Sequence, residues 1–177
     1  RPSGGYTEPD FDDPHLALIT LSASSVPEGS RVGPIDHVEE RRSSWRDCYD
    51  TLRNTMRSLG FELGRDWQYD RRSEPHTGKR GGGLNRCYGH DHIVLAVDGA
   101  VSAADLRPVV EKHVEACDWA GAPAHDLDED WQDPEKVDTV EVKPANELEN
   151  LANYVASYCG IEPDRKSTRL NSSHRLR

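Results

Sequence analysis

His90 and His92 stand two residues apart in the run Gly89-His90-Asp91-His92-Ile93. In an extended strand residues i and i+2 point to one face, so two imidazoles there can grip one metal ion. The same spacing also serves two histidines that only make hydrogen bonds on a surface or in a core. Glu74 ends the preceding segment, 67–74. A hairpin-like link between the two segments would bring its carboxylate beside the histidines. Two His and one carboxylate leave positions open for a substrate oxygen. A solvated strand-end glutamate is the plainer alternative. His76 could serve as third ligand instead, although a carboxylate suits Mg²⁺ or Mn²⁺ better. Tyr154 and Tyr158 form a third feature, in Tyr154-Val155-Ala156-Ser157-Tyr158. Residues i and i+4 share a helix face, so two phenols project together. A phenol with a pKa near about 10 is a poor nucleophile at neutral pH. It can attack phosphorus when a metal polarises the phosphate. The pair could equally be an aromatic stripe packed on a sheet.

Positioning these groups requires strands and helices in a definite order. Residues 16–22 are a short apolar run bounded by turn residues, which predicts a buried strand. Residues 38–59 carry Trp45, Cys48, Tyr49, Leu52, Met56 and Leu59 at three- and four-residue steps, which predicts one helix closed by Gly60. Segments 67–74 and 90–98 read as the second and third strands, joined through a flexible turn at 75–83. Ser102 with Asp105 is close to a capping box, and a helix follows to about residue 118 with Leu106, Val109, Val110 and Val114 inward. Segment 120–134 reads as an acidic loop, its 126–130 stretch merely solvated. Segment 137–142 alternates like a strand, and 146–159 reads as a helix stopped by Gly160. The order β-α-β-β-α-β-α predicts an α+β fold. Its core is a ferredoxin-like or RRM-like βαββαβ unit, with a mostly antiparallel sheet, helices on one face and a tyrosine-bearing C-terminal helix.

Composition narrows the setting. A chain of 177 residues suits one domain with a modest core. Mean hydropathy is −0.82, at the polar edge of folded proteins. No apolar run reaches membrane-spanning length and no signal-peptide pattern opens the chain, so a soluble cytoplasmic protein without a membrane partner is expected. The four cysteines lack any C-x-x-C pair, which argues against a zinc ribbon and for reduced thiols. Net charge is −10, and residues 91–164 hold four Lys and Arg against eighteen Asp and Glu. Such acid-rich, lysine-poor surfaces resemble those of halophilic archaea. Net negative charge ordinarily argues against a DNA partner, but it argues less at molar salt, where the Debye length of about 3 Å screens repulsion and attraction alike. Segment 164–177 turns basic and resembles the translation of a sequencing-library adapter. The expected plan is a loose lead-in at 1–14, one domain at 15–163 and a non-native tail at 164–177, with the natural C-terminus missing.

Taken together and in order, these features resemble the HUH superfamily of replication initiators and relaxases, over about residues 15–160. Leu18-Ile19-Thr20-Leu21-Ser22 resembles its first strand motif, Gly89-His90-Asp91-His92-Ile93 its His-apolar-His motif, and Tyr154-Val155-Ala156-Ser157-Tyr158 the Tyr-Val-Ala-Lys-Tyr of its two-tyrosine class. Glu74 matches the glutamate usual before the metal pair. Within the superfamily the chain looks most like replication proteins of haloarchaeal plasmids and small viruses. The resemblance implies that His90, His92 and Glu74 hold Mg²⁺ or Mn²⁺. It implies that Tyr154 and then Tyr158 attack single-stranded or melted origin DNA to give a 5′-phosphotyrosine. A host polymerase and helicase are the implied partners of rolling-circle replication. Arg71, Arg72, Lys79, Arg80 and Arg86 flank the metal strands and are expected to contact phosphates, or else to be solvated turn charges. Trp67 or Tyr69 could stack a base, or pack in the core. Two departures stand out. Asp91 replaces an apolar residue, which implies a wet face behind the histidines. Ser157 replaces a lysine, which removes a cation near the phenols. A non-catalytic RRM-like binding domain and an inactive homologue that only binds the origin are the rival readings.

Overall fold

The first apolar run, with four consecutive buried residues from Leu16 to Ile19, produces an inner strand of the sheet. In the computed structural model, which describes residues 11–75 and 88–145, that strand is β1, Pro14–Ser22. Two helices follow, α1 (Pro34–Ser43) and α2 (Trp45–Ser58), then β2 (Trp67–Pro75), β3 (Gly89–Asp98), α3 (Ala103–Ala116) and β4 (Val140–Pro144). The strands form one sheet in the order β2-β3-β1-β4 with every pairing antiparallel. This is the mixed α+β, ferredoxin-like arrangement that the element order predicts.

The core lies between one face of the sheet and the helices. Ala17, Ile19 and Leu21 of β1, with Ile93, Leu95 and Val97 of β3, meet Cys48, Leu52 and Met56 of α2 and Leu106, Val109 and Val110 of α3. Trp67 joins them from β2. Alternate residues of each strand point the other way. Cys48 and Cys117 are free, buried thiols, and burial pushes Cys48 up to about 11. No helix among the described residues is long and apolar enough to cross a membrane.

Several details differ from the sequence reading. Residues 38–59 are not one helix: the run starts earlier, at Pro34, and breaks at Ser44. The Ser44 hydroxyl is drawn to Nδ1 of His113 on α3, 2.8 Å away. Leu59 is 39% exposed, because the chain has already left α2 for the Gly60 turn (φ +92°). The strand expected at 137–142 begins only at Val140. Asp126 causes this shift, for its carboxylate accepts hydrogen bonds from the backbone N–H of Asp138 (2.9 Å) and of Thr139 (2.8 Å). Asp126 is therefore not part of a merely solvated stretch, and Trp131 from the same loop is buried in the core. The helix expected at 146–159 lies outside the described residues.

Candidate metal centre

Strand pairing brings the candidate ligands together. In the β2–β3 register Glu74 stands opposite His90 and Arg72 opposite His92. In the β1–β3 register Thr20 stands opposite His92 and Ser22 opposite His90. All six side chains therefore share the sheet face away from the helices. Gly89, one residue before His90, permits this closeness. A Cβ there would lie 2.2 Å from the Glu74 carbonyl oxygen, so any larger residue would push β2 away.

One ligand atom each from Glu74, His90 and His92 lie within 4.8 Å of one another. His90 Nε2 is 2.7 Å from His92 Nε2, and Glu74 Oε2 is 3.5 Å from His92 Nε2 and 4.0 Å from His90 Nε2. Ligands about 2.1 Å from a shared ion and at right angles to each other lie about 3 Å apart. The three distances bracket that spacing, so the donor set fits a small divalent cation. Burial pushes the His92 imidazole below its usual value, against the opposing pull of Glu74 and Asp91. The neutral ring is the form that ligates metal. On its far side, His92 Nδ1 lies 3.1 Å from Thr20 Oγ1.

The back of the His pair is dry, not wet. Asp91 is 2% exposed and turned to the helix side. Its carboxylate accepts hydrogen bonds from Arg41 Nε of α1 (3.2 Å), from an Arg71 guanidinium nitrogen (2.6 Å) and from the Ser73 hydroxyl. Burial alone would raise the Asp91 carboxyl, but Arg71, Ser73 and Arg41 together hold it below the usual carboxylate range. The departure from an apolar middle residue is thus matched by two arginines. Sequence reasoning missed Arg41, whose only signal was its position one helical turn before the Trp45 face.

Arg71 is engaged by Asp91 and stacks over the Trp45 ring, 4.6 Å from its centre, on the face opposite the histidines. Arg72 shares the ligand face, is 57% exposed and pairs with Asp70 at 2.6 Å. Trp67 is buried, and Tyr69 packs among Trp45, Tyr49 and Trp67, so both aromatics serve the helix side. Lys79, Arg80, Arg86, His76, Tyr154 and Tyr158 lie outside the described residues.

The β1 end beside the centre is held by buried histidines. His125 Nδ1–H donates to the Gly121 carbonyl (2.8 Å), and its Nε2 accepts the Ser22 N–H (3.1 Å). His113 Nε2–H donates to the Ser22 carbonyl (2.8 Å), and His37 Nε2–H to that of Ala23 (2.9 Å).

Comparison with known proteins adds the family. The model of the family described as "Putative rep protein (DUF1424)" matches residues 5–175, and the chain belongs to that family. It is 34% identical over 153 residues to an "Uncharacterized 36 kDa protein" of Halobacterium sp. (strain GN101). It is 30% identical over 155 residues to a protein of the same name from Halobacterium salinarum. Each alignment covers 84% of this chain and 44% of the relative, so the chain spans less than half the length of these relatives. Their halobacterial source agrees with the acid-rich, lysine-poor composition. No solved structure matches the chain.

Proposed function

We propose that this member of the Rep family is a metal-dependent DNA-nicking and DNA-joining enzyme of the HUH, two-tyrosine type. It would cut single-stranded or locally melted origin DNA to start and end rolling-circle replication. The observation that carries the reading is the convergence of Glu74, His90 and His92 at one end of a βαββαβ sheet. Mg²⁺ or Mn²⁺ bound there would polarise the scissile phosphate and offset the charge that builds on its oxygens. The two neutral imidazoles supply lone pairs, and Glu74 supplies the negative charge. Arg72, on the same face, would hold a flanking backbone phosphate, and Lys79, Arg80 and Arg86, between β2 and β3 in sequence, are further candidates for phosphate contacts. Arg71 is left to the Asp91 network.

Tyr154 Oη attacks phosphorus in line and loses its proton. The bond from phosphorus to the 3′ oxygen of the upstream nucleotide breaks, and that oxygen leaves protonated. The products are a 5′-phosphotyrosine and a free 3′-OH, which a host polymerase extends once a helicase opens the duplex. Tyr158 makes the second attack when the circle is completed. The tyrosyl ester conserves the phosphodiester energy, so rejoining needs no ATP.

The rival RRM-like reading needs exposed aromatics on the open sheet face. Among the described residues that face carries Leu16, Leu18, Arg72, Glu74, His90 and His92 instead.

The test is a covalent-adduct assay in molar KCl with Mn²⁺ and labelled single-stranded DNA from the replicon's origin, resolved on a denaturing gel. A slow band that disappears in Tyr154→Phe, or only in the Tyr154→Phe/Tyr158→Phe double variant, is expected. Tight origin binding without any adduct would overturn the nicking mechanism in favour of a binding-only domain.

A further inference from the structure

We infer that Thr20 is a positioning residue of the metal centre: its hydroxyl accepts the Nδ1–H of His92 and so reserves the ring's Nε2 lone pair for the ion. The inference rests on the metal reading above and gives a task to the Leu18–Ser22 strand motif.

A neutral imidazole carries one N–H, and the ring nitrogen without it offers the lone pair. Nε2 of His92 is the nitrogen that faces Glu74 Oε2 (3.5 Å) and His90 Nε2 (2.7 Å). It can ligate an ion only if the proton sits on Nδ1. Nδ1 faces Thr20 Oγ1 at 3.1 Å, across a strand pair in which the two residues are direct neighbours. With this tautomer Nε2 of His92 accepts from Nε2–H of His90 when no ion is bound. The opposite tautomer would aim an N–H into the ligand cluster. The His92 side chain is only 9% exposed, so little water competes for either nitrogen.

The hydroxyl is held in place before any ion arrives. Threonine is β-branched and stiff at χ1. The Thr20 N–H donates to the Thr139 carbonyl (2.9 Å), and Thr139 is pinned in turn by Asp126, which accepts from its N–H (2.8 Å) and its hydroxyl (2.7 Å). Two residues on, Ser22 is clamped at N–H by His125 and at its carbonyl by His113. Groups that orient a metal-bound histidine are commonly worth 10- to 100-fold in metal affinity.

The test compares wild type, Thr20→Val and Thr20→Ser. Long-range ¹H–¹⁵N NMR on the metal-free protein reads the His92 tautomer, and electron paramagnetic resonance of free Mn²⁺ reads the affinity. Wild type is expected to carry the proton on Nδ1. Thr20→Val, nearly isosteric, is expected to lose that preference and bind Mn²⁺ at least about tenfold more weakly. Thr20→Ser is expected to keep the tautomer and stay within about threefold, since the hydroxyl returns without the methyl. A wild-type ring protonated at Nε2, a Thr20→Val protein with unchanged affinity, or a Thr20→Ser protein as weak as Thr20→Val would each overturn the inference alone. Wild-type protein that binds no Mn²⁺ would overturn the metal reading and this inference with it.

Discussion

Removing the Asp91 carboxylate should cost far more stability than its place between two candidate ligands would suggest. The Arg41 and Asp91 side chains are 1% and 3% exposed, and Arg71 is 19% exposed. Asp91→Ala would leave two guanidiniums near each other without their shared anion, one of them fully buried. Among the described residues Arg41 already has one buried nitrogen, and Arg71 another, without a hydrogen-bond partner, and the Ser73 hydroxyl that Arg41 reaches at 3.3 Å carries no charge to replace the carboxylate. Breaking a buried ion pair from one side costs about 3–5 kcal/mol, because the remaining charge stays desolvated. That is a large share of the roughly 5–15 kcal/mol that a domain of this size has. The assay is urea unfolding in molar KCl, followed by tryptophan fluorescence. Exposed pairs are screened by such salt and buried ones much less. As a control, Glu111→Ala removes the partner of Arg107, a pair 34% and 51% exposed, and should cost at most about 0.5 kcal/mol. The double variant Arg41→Met/Asp91→Leu should recover much of the loss, since apolar packing can replace a buried pair. An Asp91→Ala protein within about 1 kcal/mol of wild type would refute the argument that this network anchors β3.

Acid should destabilise the fold before the carboxylates titrate. Burial holds His113 down at about 4 and lowers His125, whose Nε2 would confront the Ser22 N–H if protonated. A depressed histidine contributes stability that is complete above its unfolded value, near about 6.5, and lost as pH falls toward its folded value. For His113 this amounts to about 2 kcal/mol between pH 7 and pH 5, and urea midpoints that stay flat over that window would contradict it. Gly89→Ala should weaken Mn²⁺ binding more than about tenfold and cost about 1–3 kcal/mol by overpacking, because its Cβ meets the Glu74 backbone. Mn²⁺ resonance and urea unfolding read the two effects separately, and wild-type values in both would sink that account. Glu74→Gln should weaken Mn²⁺ binding while leaving the urea midpoint unchanged, and unchanged Mn²⁺ affinity would remove Glu74 from the ligand set.

Local signals made much of the fold legible. The capping box at Ser102 forms with both of its backbone bonds, from Asp105 N–H (3.2 Å) and to the Asp105 carboxylate (2.9 Å). Strand periodicity put His90, His92 and Glu74 on one face because alternation is a property of the backbone alone. What the sequence could not reveal depends on partners far along the chain. The break at Ser44 answers to His113, 69 residues away, and the late start of β4 to Asp126. The sequence implies a wet face at Asp91, because alternation turns this charged residue away from the histidines. Nothing local signals that Arg41, 50 residues earlier, reaches the same spot.

β3 therefore divides two tasks between its faces. His90 and His92 serve the candidate metal centre, while Asp91, Ile93, Leu95 and Val97 serve the core and its buried ion pairs. His90 takes no part in the packed core, so His90→Ala should remove a ligand at a cost of about 1 kcal/mol or less. Asp91→Ala should do the reverse, lowering stability by several kcal/mol while both imidazoles remain. The two quantities, Mn²⁺ affinity and unfolding free energy, should then separate between adjacent residues. If they fell together in both variants, the β3 backbone itself would be moving, and the metal centre would owe its geometry to the Asp91 network as much as to strand pairing.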